Sequence, residues 1–134
     1  MTRKKTILLV EDDVNLSELV KLRLEQENFN VTAVHDGVKM FSVIQKTKPD
    51  LIILDVMLPK IDGFKLCGLL KNYDQYKDVP VIIFTARSGL ESKALAKEMG
   101  GDAYIQKPFD AKVLIEKIND LLKRYQNRSS PTVI

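Results

Sequence analysis

Three runs of four apolar residues constrain this chain more than anything else in it: Ile7-Leu8-Leu9-Val10, Leu51-Ile52-Ile53-Leu54 and Val81-Ile82-Ile83-Phe84. A run this short, rich in branched side chains and bounded by polar residues, reads as a strand buried on both faces. Such strands belong to parallel sheets covered by helices, and the intervening segments have helical spacing. Leu16, Leu19, Val20 and Leu24 form one apolar stripe, and Met40, Phe41 and Ile44 another. Phe64, Leu66, Leu69 and Leu70 follow, then Leu90 to Met99. Val113, Leu114, Ile118, Leu121 and Leu122 form the last stripe, running from Asp110 to Tyr125. Shorter strands are expected at Val31–Val34 and Ala103–Ile105. Five alternating βα units predict an α/β fold, a doubly wound five-stranded parallel sheet with helices on both faces.

Local signals agree. Asp36-Gly37 reads as a turn, Asp62-Gly63 opens a helix, Gly100-Gly101 closes one, and Asp110 is a candidate N-cap. A chain of 134 residues is expected to form one domain, here residues 1–126, with 127–134 as a disordered tail or linker stub. It is long enough to bury roughly two thirds of its unfolded surface, so it needs no disulfide. The single cysteine, Cys67, lies in an apolar helical stretch and reads as filler.

The basic start is followed by too short an apolar run for a signal peptide or a membrane span, so the expectation is a cytoplasmic protein without membrane contact. Lys and Arg number 21 against 18 Asp and Glu, a net +3. No basic stripe interleaved with aromatics appears, so no direct nucleic-acid binding is expected.

Polar residues follow the apolar runs: Glu11-Asp12-Asp13 after the first, Asp55 after the second, Thr85 after the third. In a parallel sheet these positions gather at one edge, where open α/β folds place their ligand crevice. The first of these loops has no glycine and carries three negative charges, which excludes a phosphate-cradling nucleotide site. Clustered carboxylates require a compensating cation. Asp12 and Asp55 offer hard oxygen ligands of the kind Mg2+ takes. Lys107 can neutralise the cluster and bind a phosphoryl oxygen. Asp13 alone reads equally well as a helix cap.

Four motifs in this order, Val10-Glu11-Asp12-Asp13, Leu54-Asp55-Val56-Met57-Leu58-Pro59 with Asp62-Gly63, Phe84-Thr85-Ala86 and Ala103-Tyr104-Ile105-Gln106-Lys107-Pro108-Phe109, resemble the receiver domains of two-component response regulators over residues 6 to 125. The resemblance implies a flavodoxin-like sheet of order 2-1-3-4-5. It makes Asp55 the phosphoacceptor, with Thr85 and Lys107 completing the catalytic set. It implies Mg2+ held by Asp12, Asp55 and the main-chain carbonyl of Met57, with Glu11 acting through water. Thr85 and Tyr104 become the switch pair, and the Lys107–Pro108 peptide is expected to be cis. The donor would be a histidine kinase or histidine phosphotransfer protein. The readout to an output protein would use helix 4, strand 5 and helix 5, in a monomer or weak dimer. His35, the only histidine, is expected to be a surface residue away from the site.

Receivers joined to winged-helix domains often carry an acid before the switch tyrosine and a Glu/Arg pair on the last helix. Here those positions hold Ala103, Val113 and Lys117, which argues against that type of dimer and favours a single-domain regulator or an excised receiver. Two other functions compete. A phosphatase using Asp55 as nucleophile needs a second acid two residues on, where Met57 cannot carry a proton. The remaining alternative is a pseudo-receiver, a binding module that is not phosphorylated, although no acid, Thr85 or Lys107 is missing. No free-substrate enzyme is expected beyond phosphorylation and dephosphorylation of the chain itself.

Overall fold

The computed structural model describes residues 3–86 and 89–129. Strands and helices alternate: β1 (Thr6–Val10), α1 (Val14–Gln26), β2 (Asn30–Val34), α2 (Gly37–Lys46), β3 (Leu51–Leu54), α3 (Gly63–Asn72), β4 (Val81–Thr85), α4 (Leu90–Glu98), β5 (Ala103–Gln106) and α5 (Ala111–Ser129). The strands form one parallel sheet in the order β2-β1-β3-β4-β5. The expected topology is therefore the observed one.

The central runs are buried on both faces because successive strand residues point to opposite sides. Leu8, Val10, Ile52, Leu54, Val81 and Ile83 pack against Met40 and Ile44 of α2, Phe64 and Leu70 of α3 and Ala96 of α4. Ile7, Leu9, Leu51, Ile53, Ile82 and Phe84 pack against Val20 and Leu24 of α1 and Leu114, Ile118 and Leu121 of α5. This division gives the sheet its two helical layers.

Aspartates start four helices by accepting main-chain N–H bonds. Asp13 Oδ1 accepts from Leu16 at 3.0 Å, Asp36 Oδ1 from Lys39 at 2.8 Å and Asp62 Oδ1 from Phe64 at 2.8 Å. Asp110 Oδ1 accepts from Lys112 N–H at 2.9 Å and opens α5. The last helix continues to Ser129, past the Tyr125 boundary read from its apolar stripe. Helix continuation needs no apolar residue, so the stripe underestimated its length. The rest of the expected tail, residues 130–134, lies outside the described residues. Among the described residues no helix is long and apolar enough to cross a membrane.

A polar cluster ties the N-terminal edge of the sheet together. Lys71 Nζ donates to Val79 C=O at 2.8 Å and to Asp102 Oδ2 at 3.0 Å. Tyr125 Oη donates to Asp102 Oδ1 at 2.6 Å, and Val81 N–H to Asp102 Oδ2 at 2.8 Å. Nearby Cys67 is fully buried, and burial pushes its thiol up to about 11, as suits filler.

Candidate functional site

The C-terminal strand edge gathers the acids. Asp55 leaves β3 with its N–H donating to Val10 C=O at 3.0 Å, which fixes it beside the end of β1. The residue is only 2% exposed. Oδ1 accepts from Met57 N–H at 2.9 Å, and Oδ2 accepts from Lys107 Nζ at 3.1 Å. A buried carboxylate needs such hydrogen-bond partners to offset its lost hydration.

Glu11 is fully buried. Its Oε2 accepts from Asp13 N–H at 3.0 Å, and its Oε1 pairs with Lys107. Burial pushes its carboxyl up to about 7, with the Asp55 charge adding to the rise, against the opposing hydrogen bonds from Lys107 and Asp13. For Lys107, burial acts to lower the ammonium, but Glu11 and Asp55 outweigh it and hold it above its ordinary value.

One carboxylate oxygen from each of Glu11, Asp12 and Asp55 lies within 4.8 Å of the others, and Asp12 is exposed. Three carboxylates beside one ammonium carry, when ionised, the excess negative charge that a divalent cation neutralises. The donor set is all oxygen and partly open to solvent, which fits Mg2+.

Thr85 ends β4 and is buried; its C=O accepts from Lys107 N–H at 2.8 Å. The β4–β5 pairing thus carries Lys107 to the acids. Its Nζ lies 5.0 Å from the Phe84 ring centroid, and the Lys107–Pro108 peptide is cis. Tyr104 is half-buried on β5 opposite Ile83, with its side chain packed on the α2–α4 layer of the core. Met57 is 50% exposed at the mouth of the site.

Gly63 holds the floor of the site. Its N–H donates to Val56 C=O at 3.2 Å, and a Cβ there would sit 2.2 Å from Val56 Cα and 2.7 Å from Asp55 O. Only glycine allows α3 to start this close to the backbone beside Asp55.

His35 is not where the sequence reading put it. It is half-buried, and its Nδ1 lies 2.9 Å from the main-chain oxygen of Glu11. The register could have revealed this: Val10 is opposite Val34, so the residues after each strand are neighbours.

The Response regulator receiver domain family model matches residues 7–119. The chain belongs to this family. Among curated relatives of this receiver domain, the DNA-binding dual master transcriptional regulator RpaA of Synechocystis is 37% identical over 118 residues, covering 88% of this chain and 49% of the relative. The transcriptional regulatory protein CseB of Streptomyces coelicolor is 38% identical over 125 residues, covering 93% and 52%. The receiver thus spans about half the length of these relatives. Among solved structures, a CheY-like response regulator receiver domain protein from Methanospirillum hungatei superposes with a TM-score of 0.88 at 27% identity, covering 95% of this chain and 100% of that one. The signal receiver domain of a histidine kinase from Syntrophus aciditrophicus gives 0.85 at 33% identity, covering 96% and 98%.

Proposed function

We propose that the domain is a phosphoacceptor of a two-component or phosphorelay system, with Asp55 as the acceptor. The observation that carries this reading is the Asp55 carboxylate itself: buried, held at Oδ2 by Lys107 at 3.1 Å, and grouped with Glu11 and Asp12. A carboxylate oxygen of Asp55 attacks the phosphorus of a phosphohistidine on a histidine kinase or phosphotransfer protein. The P–N bond breaks, its electron pair leaves with the imidazole, and an aspartyl phosphate remains. Asp12, Asp55 and the Met57 carbonyl would hold Mg2+, with Glu11 acting through water. When bound, the ion supplies positive charge against the phosphoryl oxygens.

Lys107 keeps one phosphoryl oxygen neutralised, and Thr85 hydrogen-bonds another. The exposed Ala86 leaves room beside the incoming group. The new charge of about −1.5 to −2 at Asp55 favours whichever domain state best accommodates it. Thr85 and Tyr104 then carry the change to α4, β5 and α5, where an output protein docks. Any DNA contact belongs to an output part such as the other half of the transcriptional relatives, not to this domain.

The test is intact mass after incubation with Mg2+ and a small acyl phosphate, for the wild type and Asp55→Asn. One metal-dependent phosphoryl adduct on the wild type alone is expected. No adduct on a folded wild type would leave the pseudo-receiver binding module as the reading.

A further inference from the structure

Glu11 follows β1 and precedes α1, so its C=O falls between two hydrogen-bond ladders. A buried main-chain carbonyl in that position needs a donor from elsewhere. The end of β2 supplies partners for both of its main-chain groups. Val34 C=O accepts the Glu11 N–H at 3.0 Å, and His35 Nδ1 lies 2.9 Å from Glu11 O. A carbonyl oxygen only accepts, so Nδ1 carries the hydrogen and donates.

The Glu11 C=O belongs to the peptide unit that joins Glu11 to Asp12. Its orientation sets the direction in which Asp12 leaves the buried Glu11. Asp12 is exposed and capable of swinging away, yet its carboxylate lies within 4.8 Å of those of Glu11 and Asp55. We infer that His35 is a positioning residue for the acidic pair: its Nδ1–H holds the Glu11–Asp12 peptide so that both carboxylates face Asp55. This inference rests on the metal-site reading above and adds to it the residue just after β2, the edge strand on the side away from Lys107. Neither the hydrogen bond nor its effect requires a charged imidazole, because Nδ1 donates in the neutral tautomer as well.

Two variants separate a donor role from mere bulk. His35→Ala removes the donor. His35→Asn keeps it, because the Asn Nδ2 is bonded to Cγ just as Nδ1 is in histidine. The experiment is Mg2+ titration of wild type and both variants by calorimetry, with amide shifts of residues 11–13 as a second readout and metal-free melting as a control on folding. Loss of a partner behind a metal ligand typically costs about 10–100-fold in affinity, and for a main-chain tether we expect the lower end, about 10-fold weaker binding by His35→Ala. His35→Asn is expected to bind close to wild type. Equal affinity for all three proteins would overturn the inference while leaving the metal site intact. Equal weakening by both variants would overturn it too, since the donor would not be what matters. No Mg2+ binding by folded wild type would overturn the metal-site reading and this inference together.

Discussion

Lys107 Nζ lies 3.1 Å from Asp55 Oδ2, across 52 positions of sequence, and the same ammonium pairs with the buried Glu11. One cation therefore serves two buried carboxylates. Removing it leaves both uncompensated wherever they are ionised. Lys107→Met is expected to destabilise the metal-free domain by up to about 3–5 kcal/mol at pH 8. The loss should shrink toward pH 5, where Glu11 takes up a proton instead. Urea unfolding at the two pH values measures it, and a pH-independent loss would show that lost packing, not charge, sets the cost.

Glu11 gives a separate pH signature. Its folded carboxyl sits at about 7, above its ordinary 4.5, so the folded state binds the extra proton between those values. The favourable contribution of the neutral acid is complete below about 4.5 and is lost as pH rises through about 7, a swing of about 3 kcal/mol. Glu11→Gln cannot titrate. Its metal-free stability relative to wild type should therefore rise between pH 5 and pH 8 (about 3 kcal/mol at most by the same linkage). A flat difference across that range would mean Glu11 is ionised throughout. Added Mg2+ should reduce the swing, because it favours the ionised carboxylate.

Gly63 is confined by backbone, not by a flexible side chain: Val56 Cα would lie 2.2 Å from an added Cβ. Gly63→Ala must push α3 away from the segment after Asp55, and overpacking of this kind costs about 1–3 kcal/mol or more. It should also slow phosphorylation by acyl phosphate, because that segment aims Asp55. An unchanged urea midpoint together with unchanged phosphorylation would show that the loop yields freely.

At the opposite edge, Tyr125 Oη donates to Asp102 at 2.6 Å, and Asp102 also receives Lys71 and Val81 N–H. Tyr125→Phe keeps the ring and deletes that donor. Hydrogen bonds to charged groups contribute about 1.5–3 kcal/mol, so a loss in that range is expected with phosphorylation by acyl phosphate retained. Stability equal to wild type would show that water replaces the phenol.

The apolar runs Ile7–Val10, Leu51–Leu54 and Val81–Phe84 determined by themselves that this chain forms a parallel sheet buried on both faces. Burial of a short run is a local property of composition, and strand ends in a parallel sheet share one edge. That is why the meeting of Glu11, Asp12, Asp55 and Lys107 was legible in the sequence. The caps at Asp62 and Asp110 were equally legible, because a side chain that bonds an N–H two residues on needs no distant partner. The tertiary structure decided the rest. Nothing in the triplet Glu11-Asp12-Asp13 says which acid is buried, which is exposed and which caps α1; that follows from the packing of α1 against β1 and from where Lys107 arrives. His35 joined the site only through the β1–β2 register, and Lys71, Asp102 and Tyr125 met only when α3, β5 and α5 converged. Each of these depends on groups far apart in the chain, whose distances and desolvation exist only once the sheet has closed around them.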